Sequence, residues 1–155
     1  MGFAYRLILL LAGLTLAAPF AAASDLEEAA IKARQGQMQL RSFNAGPLFA
    51  MVKGDIEYDA EFATTLANNL KLMLGLDNGR AWMRGTSTDE YPDKTTALPA
   101  IWEADSEIGD RGKDYADAVK ALAGAAGQGR DALRSAVKDL GGACKGCHDD
   151  YRQED

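Results

Sequence analysis

The sequence predicts an all-α protein, an antiparallel up-down-up-down four-helix bundle. Apolar residues recur at alternating steps of three and four in four separate stretches, the period of one helix face. No stretch alternates apolar and polar residues as a half-buried strand does. The connections read as two short turns and one long loop, and short connections make neighbouring helices antiparallel.

Residues 1–23 precede the bundle. Arg6 is their single charge, 7–18 is a run without charge, and Ala21, Ala22 and Ala23 offer a small-residue cleavage site. That is the pattern of a signal peptide, leaving a domain of 24–155. The run is short for a membrane span, although a retained anchor is the other reading.

The first helix is expected over 25–53. Ile31, Met38, Ala45 and Val52 repeat every seven residues and Leu48 joins them, while Lys32, Gln35, Gln39 and Arg41 supply the wetter positions. Gly46 and Pro47 interrupt it and predict a bend near Asn44; Gly54 then caps it. Tyr58 and Asp59 open the second helix, with Asp59 as N-cap and Glu61 favourable in the first turn. Its stripe is Phe62, Leu66, Leu70, Met73 and Leu74.

Residues 77–98 lose all period and turn to Gly, Thr, Asp, Pro and Lys, the composition of a loop. A loop this long in a compact domain is often functional. It is expected to cross one end of the bundle with Trp82 and Met83 beneath it. Pro99 suits the first turn of a third helix carrying Ile101, Ile108, Tyr115 and Leu122 at seven-residue spacing, with Trp102 and Val119 beside them. Residues 123–129 form a turn. The fourth helix has Asp131 in its first turn and a stripe of Leu133, Val137, Leu140, Cys144, Cys147 and Tyr151. Gly141 and Gly142 inside it cost roughly 1 kcal/mol each relative to Ala, a cost that close approach of a neighbouring helix or a cofactor would justify.

Seventeen basic residues against 23 acidic ones give a formal charge of −6. An acidic domain has no electrostatic footprint for nucleic acid or an anionic membrane. One domain is expected, burying roughly two thirds of its unfolded surface. Asp149, Asp150, Glu154 and Asp155 read as a solvated helix end. No Gly-rich phosphate loop follows a strand, and Ser/His/Asp catalysis would need the single histidine. The chain is therefore not read as an enzyme.

That histidine, His148, belongs to the most specific signal in the chain, Cys144-Lys145-Gly146-Cys147-His148. Two cysteines with two residues between them and histidine next form the attachment signature of haem c, with both sulfurs as thioethers and the imidazole on iron. On a helix, i, i+3 and i+4 share a face, so all three side chains meet one porphyrin. A redox dithiol would sit at the start of a helix in a βαβ pattern. A closed zinc site needs four ligands, and two Cys with one His do not complete it without carboxylates.

Taken with this motif, Ala33, Arg34, Gln35 and Met38, then Val52, Lys53 and Gly54, Tyr58 and Asp59, Ile101 and Trp102, and the stretch from Cys144 to Tyr151 with Arg152 make the chain resemble the cytochromes c′, the class II c-type cytochromes. That family is a standard example of the four-helix bundle. Its motif lies near the C-terminal end, whereas class I cytochromes c carry it near the N-terminus. The resemblance implies one covalent haem c, with Cys144 and Cys147 as thioether cysteines and His148 as the proximal iron ligand. It puts Arg34 and Gln35 beside the haem, where a guanidinium suits a propionate, Arg152 near the proximal face, and Thr96, six residues before Trp102, against haem. It also implies a periplasmic protein with redox partner proteins and small diatomic gas ligands, dimerising through its first two helices, where Leu40, Phe43 and Phe49 offer apolar surface.

Met38, four residues after Arg34, faces the bundle interior and the distal side. In high-spin relatives the residue at this place is apolar and blocks the sixth iron position without binding it; in a low-spin branch a methionine there ligates iron. On the first reading, five-coordinate iron takes nitric oxide or carbon monoxide and refuses anions and polar ligands for want of a donor. On the second, the protein is an electron carrier alone. Bis-histidine ligation is excluded by the histidine count.

Overall fold

The computed structural model describes residues 18–154, with side-chain surroundings from residue 24 onward. Most of the expected signal peptide, residues 1–17, lies outside the described residues. Four helices follow one another: α1 Ala18–Lys53, α2 Ala60–Met73, α3 Ile108–Ala125 and α4 Arg130–Tyr151. α1 packs on α2 and α4, and α3 packs on the same two, closing a ring of four. The extended pairing among the described residues is one isolated bridge, Ala97 with Arg152.

The bend expected to interrupt the first helix does not end it: α1 runs unbroken through Pro47. A proline removes one rung of the ladder, and the next turn puts Leu48 and Met51 in the core at 0% and 1% exposure. Gly54, at φ +89°, ends the helix, its N–H and that of Asp55 both donating to the Ala50 carbonyl. The inward face of α1 is not the apolar seven-residue line of the expectation. Ile31 and Leu48 are buried at its ends, while between them lie buried Arg34 and Asn44 and half-buried Gln37, Met38 and Arg41. Arg41, expected on the wet side, shares the face of Arg34 because seven residues separate them.

α2 begins as expected, with the Asp59 carboxylate accepting from the Phe62 N–H at 2.9 Å. Leu66, Leu70 and Met73 of its expected stripe are buried and Leu74 packs against the core, with one exception. Ala63, Leu66, Ala67, Leu70 and Met73 are buried and Phe62 is exposed, because two alanines let the helix approach its neighbours closely and turn the larger ring outward.

The third helix differs more. Pro99 opens only a single 3-10 turn, Pro99–Trp102, after which Glu103 is extended at ψ 161° and α3 starts at Ile108. The seven-residue line thus crosses a break. Two tertiary bonds hold it: the Trp102 indole donates to the Trp82 carbonyl at 2.9 Å, and the Glu107 N–H donates to the Tyr151 hydroxyl at 2.8 Å, giving the start of α3 a partner on α4. A second 3-10 turn, Gly79–Trp82, lies within the long loop. At the α3–α4 turn, Gly129 adopts φ +107° and donates to the Tyr58 hydroxyl, which donates in turn to the Ala126 carbonyl.

These elements bury two separate apolar clusters. The larger joins all four helices through residues such as Leu48, Leu70, Leu122, Leu133 and Leu140. The smaller is Ala97, Ile101 and Tyr151, with Trp82, Trp102 and Ile108 against it.

Candidate functional site

α4 carries the motif across the division between these clusters: Cys144 packs against the larger and Cys147 against the smaller. The helix passes unbroken through Gly141 and Gly142. A side chain at Gly141 would meet the Phe49 ring at 3.4 Å, so the close approach there is to α1; nothing lies within 4 Å of that point at Gly142, and the structure gives no packing reason for it.

Both thiols are held above the ordinary cysteine pKa, each chiefly by burial, with the Arg41 cation opposing the shift at Cys144 and Arg111 followed by Arg41 opposing it at Cys147. A redox dithiol needs the reverse, a depressed thiol. No disulfide joins the two. His148 keeps much of its surface open. What burial it has, helped by the Arg152 cation and opposed by Asp149, holds it below the ordinary imidazole pKa, favouring the neutral ring that ligates metals. Arg111 of α3 braces this segment, its guanidinium donating to Asp150 at 2.8 and 3.0 Å.

The other expected residues fall into two groups. Arg34 and Gln35 on α1 bind the loop, and Thr96 lies in it. Arg34 is 4% exposed and donates to the Ala81 carbonyl, the Thr86 hydroxyl and carbonyl and the Thr95 hydroxyl at 2.9–3.1 Å, which accounts for its four Nη hydrogens. It lies 5.3 Å from the Trp82 ring and 5.7 Å from that of Trp102. A haem propionate would have to compete with these bonds. Gln35 donates to the Lys94 carbonyl at 2.7 Å. Thr96 is exposed, and its carbonyl accepts from the Gln153 N–H at 2.8 Å. Arg152 lies at the end of the motif's helix, and Met38 lies beside Arg41 on α1. The Arg152 N–H caps α4 on the His148 carbonyl at 3.0 Å, and Met38 is half-buried with its sulfur 3.8 Å from Arg41 Nη1.

Two residues were missed. The Arg41 guanidinium stacks 4.6 Å from the centre of the Tyr115 ring, and its charge acts on both cysteines. Arg41 Nε and the Tyr115 hydroxyl are buried without a hydrogen-bond partner, as is Gln37 Oε1. The available signal was spacing: Gln37, Met38 and Arg41 follow Arg34 by three, four and seven residues, one face of one helix.

These features fit haem c. Two thiols and an imidazole share a helix face, and apolar clusters lie to either side.

The comparisons with known proteins agree. The family described as Cytochrome C' matches residues 29–152. The chain is 40% identical over 143 residues to cytochrome c' of Cereibacter sphaeroides, covering 92% of this chain and 95% of that one. Among solved structures it is similar to cytochrome c' from Rhodobacter spheriodes, with 38% identity, TM-score 0.80 and coverage of 83% and 98%. It is also similar to the nitric oxide complex of a mutant cytochrome c prime from Alcaligenes xylosoxidans, with 31% identity, TM-score 0.71 and coverage of 83% and 97%.

Proposed function

The chain belongs to the cytochrome c′ family and carries covalent haem c, and from that premise we propose that it is a periplasmic protein that transfers electrons and binds nitric oxide or carbon monoxide at an iron left open opposite His148. The observation that carries this reading is the motif laid across the two clusters, with Met38 turned inward and its sulfur engaged by Arg41. The guanidinium contact on that thioether favours a wall over a ligand. The nitric oxide complex of the Alcaligenes relative supports the choice of gas.

In this reading Cys144 and Cys147 anchor the haem, His148 ligates its iron from one side, and Met38 sets the steric barrier on the other. Bound haem supplies a one-electron couple and a ligand position. Arg34 and Gln35 hold the loop over this end, with Thr96 and Arg152 joining the loop to the end of α4. The competing reading makes Met38 the second axial ligand; its place on the interior face favours that, and the sulfur's partner opposes it. An absorption spectrum of the reduced protein with and without carbon monoxide decides. We expect a change on adding the gas, and a sharp low-spin spectrum indifferent to it overturns the open position. Met38→Ala should speed carbon monoxide binding, and unchanged rates would remove the barrier from Met38.

Export rests on residues 1–23, which read as a signal peptide cleaved after Ala23. No helix among the described residues is long and apolar enough to cross a membrane. A homodimer through α1 and α2 is supported by exposed Leu40 and Phe43, at 48% and 76%, and by Leu72 at 75%. Phe49 drops out of that surface because its ring packs inward on Gly141.

A further inference from the structure

Three turns of the inward face of α1 carry polar groups where a bundle helix ordinarily carries aliphatic ones. Some are fully used. Arg34 is bonded to the loop, and Asn44 donates to Leu40 and accepts from Asn69 of α2. Arg41 is not. Its Nη1 has only the weak acceptor Met38 Sδ, its face rests on the Tyr115 ring, and its Nε is buried without a partner. Tyr115 reaches the same place from α3, and its hydroxyl is buried without a partner too. A guanidinium from α1 and a phenol from α3, each with a desolvated donor, therefore stack at 4.6 Å, with Met38 beside the guanidinium. Unmatched buried donors are unfavourable, and a cation over an aromatic ring offsets only part of that. A small anion is an acceptor that either donor could take.

We infer that Arg41 and Tyr115 form a donor pair on the Met38 side of the haem, so that this site takes small anions as well as neutral diatomic gases. The inference rests on the open iron position proposed above and deepens it. It reverses the expectation that a polar ligand is refused for want of a donor: a guanidinium presents N–H groups and a positive charge, and charge-assisted hydrogen bonds are roughly twice as strong as neutral ones. Its specificity is for ligands with an acceptor atom or negative charge beyond the atom bound to iron. Carbon monoxide, a poor acceptor, gains little.

The test titrates ferric haem-loaded protein with sodium azide and ferrous protein with carbon monoxide, both by absorption. It compares wild type, Arg41→Leu, Arg41→Lys and Tyr115→Phe, with circular dichroism to establish that each is folded. Azide should bind wild type and weaken by about tenfold or more in Arg41→Leu, the scale of one lost charge-assisted hydrogen bond. Arg41→Lys should fall between them, Tyr115→Phe should weaken azide several-fold, and azide should lose more affinity than carbon monoxide in each variant. Wild type that binds carbon monoxide but not azide overturns the donor pair, as does equal azide affinity with and without Arg41. Should Arg41→Leu fail to fold, Arg41→Lys and Tyr115→Phe decide, and azide affinities equal to wild type in both overturn it. Wild type that binds neither probe removes the open iron position instead, and the donor pair with it.

Discussion

Arg34 and Arg41 are seven residues apart on one helix face, and their partners give them opposite tasks. Arg34 is closed off by four hydrogen bonds to the loop. Removing it leaves several buried acceptors unsatisfied at about 1–3 kcal/mol each, so Arg34→Leu should lower stability in denaturant unfolding by about 3 kcal/mol or more. Lysine should not restore it, since one ammonium cannot span acceptors set out for a planar fork. Cys144, Cys147 and His148 were legible in the sequence because covalent attachment demands a fixed spacing along one chain. The role of Arg34 was not: its acceptors on Ala81, Thr86 and Thr95 lie 47 to 61 residues away. Arg41 read as solvated because a charge on an amphipathic helix usually is, and only Tyr115, on another helix, shows which way it turns.

At the level of elements, the long loop is the part most dependent on tertiary contacts. The N-terminal turns of the described α1 hold it: the Tyr91 hydroxyl donates to Glu27 at 2.6 Å and the Lys94 ammonium to Glu28 at 2.6 Å. Lys94 holds the Glu28 carboxyl below its ordinary pKa, so this contact stabilises at pH above the ordinary carboxylate value and is lost as pH falls through the lowered one. The Glu27 carboxylate pushes Tyr91 up to about 12; that contact is intact below the ordinary tyrosine pKa and is lost as pH rises through about 12. Near-ultraviolet circular dichroism of Trp82 and Trp102 should therefore show the loop loosening at both extremes, and Tyr91→Phe should abolish the alkaline step. The α3–α4 turn is sensitive in another way. A side chain at Gly127 would meet Thr64 Oγ1 at 2.6 Å, so Gly127→Ala should destabilise by about 1–3 kcal/mol in thermal unfolding. Helix count was legible from period, and the turn between α1 and α2 from Gly54 and Asp59. The break before α3 was not, because Ile101 and Ile108 keep a seven-residue step while the Trp102–Trp82 and Glu107–Tyr151 bonds set the chain there.

For the whole molecule, the divided core makes the haem a structural member. Replacing Cys144 and Cys147 by Ser should yield a chain without covalent haem that melts at a lower temperature and with a broader transition than the loaded protein, and calorimetry on the two would measure the difference. On the homodimer proposed above, the exposed apolar residues of α1 and α2 form the interface: Phe43→Glu should shift dimer toward monomer in sedimentation while leaving the absorption spectrum unchanged. The smaller cluster has a further consequence. Leu98 donates to the Tyr151 carbonyl at 3.0 Å and Gln153 to that of Thr96 at 2.8 Å, stitching chain from before α3 to chain that follows the motif. A polypeptide threaded out amino end first presents Cys144 and Cys147 before Gln153 emerges. On the export proposed above, the two anchors are therefore free before that seam can close, since a residue that comes after them completes it.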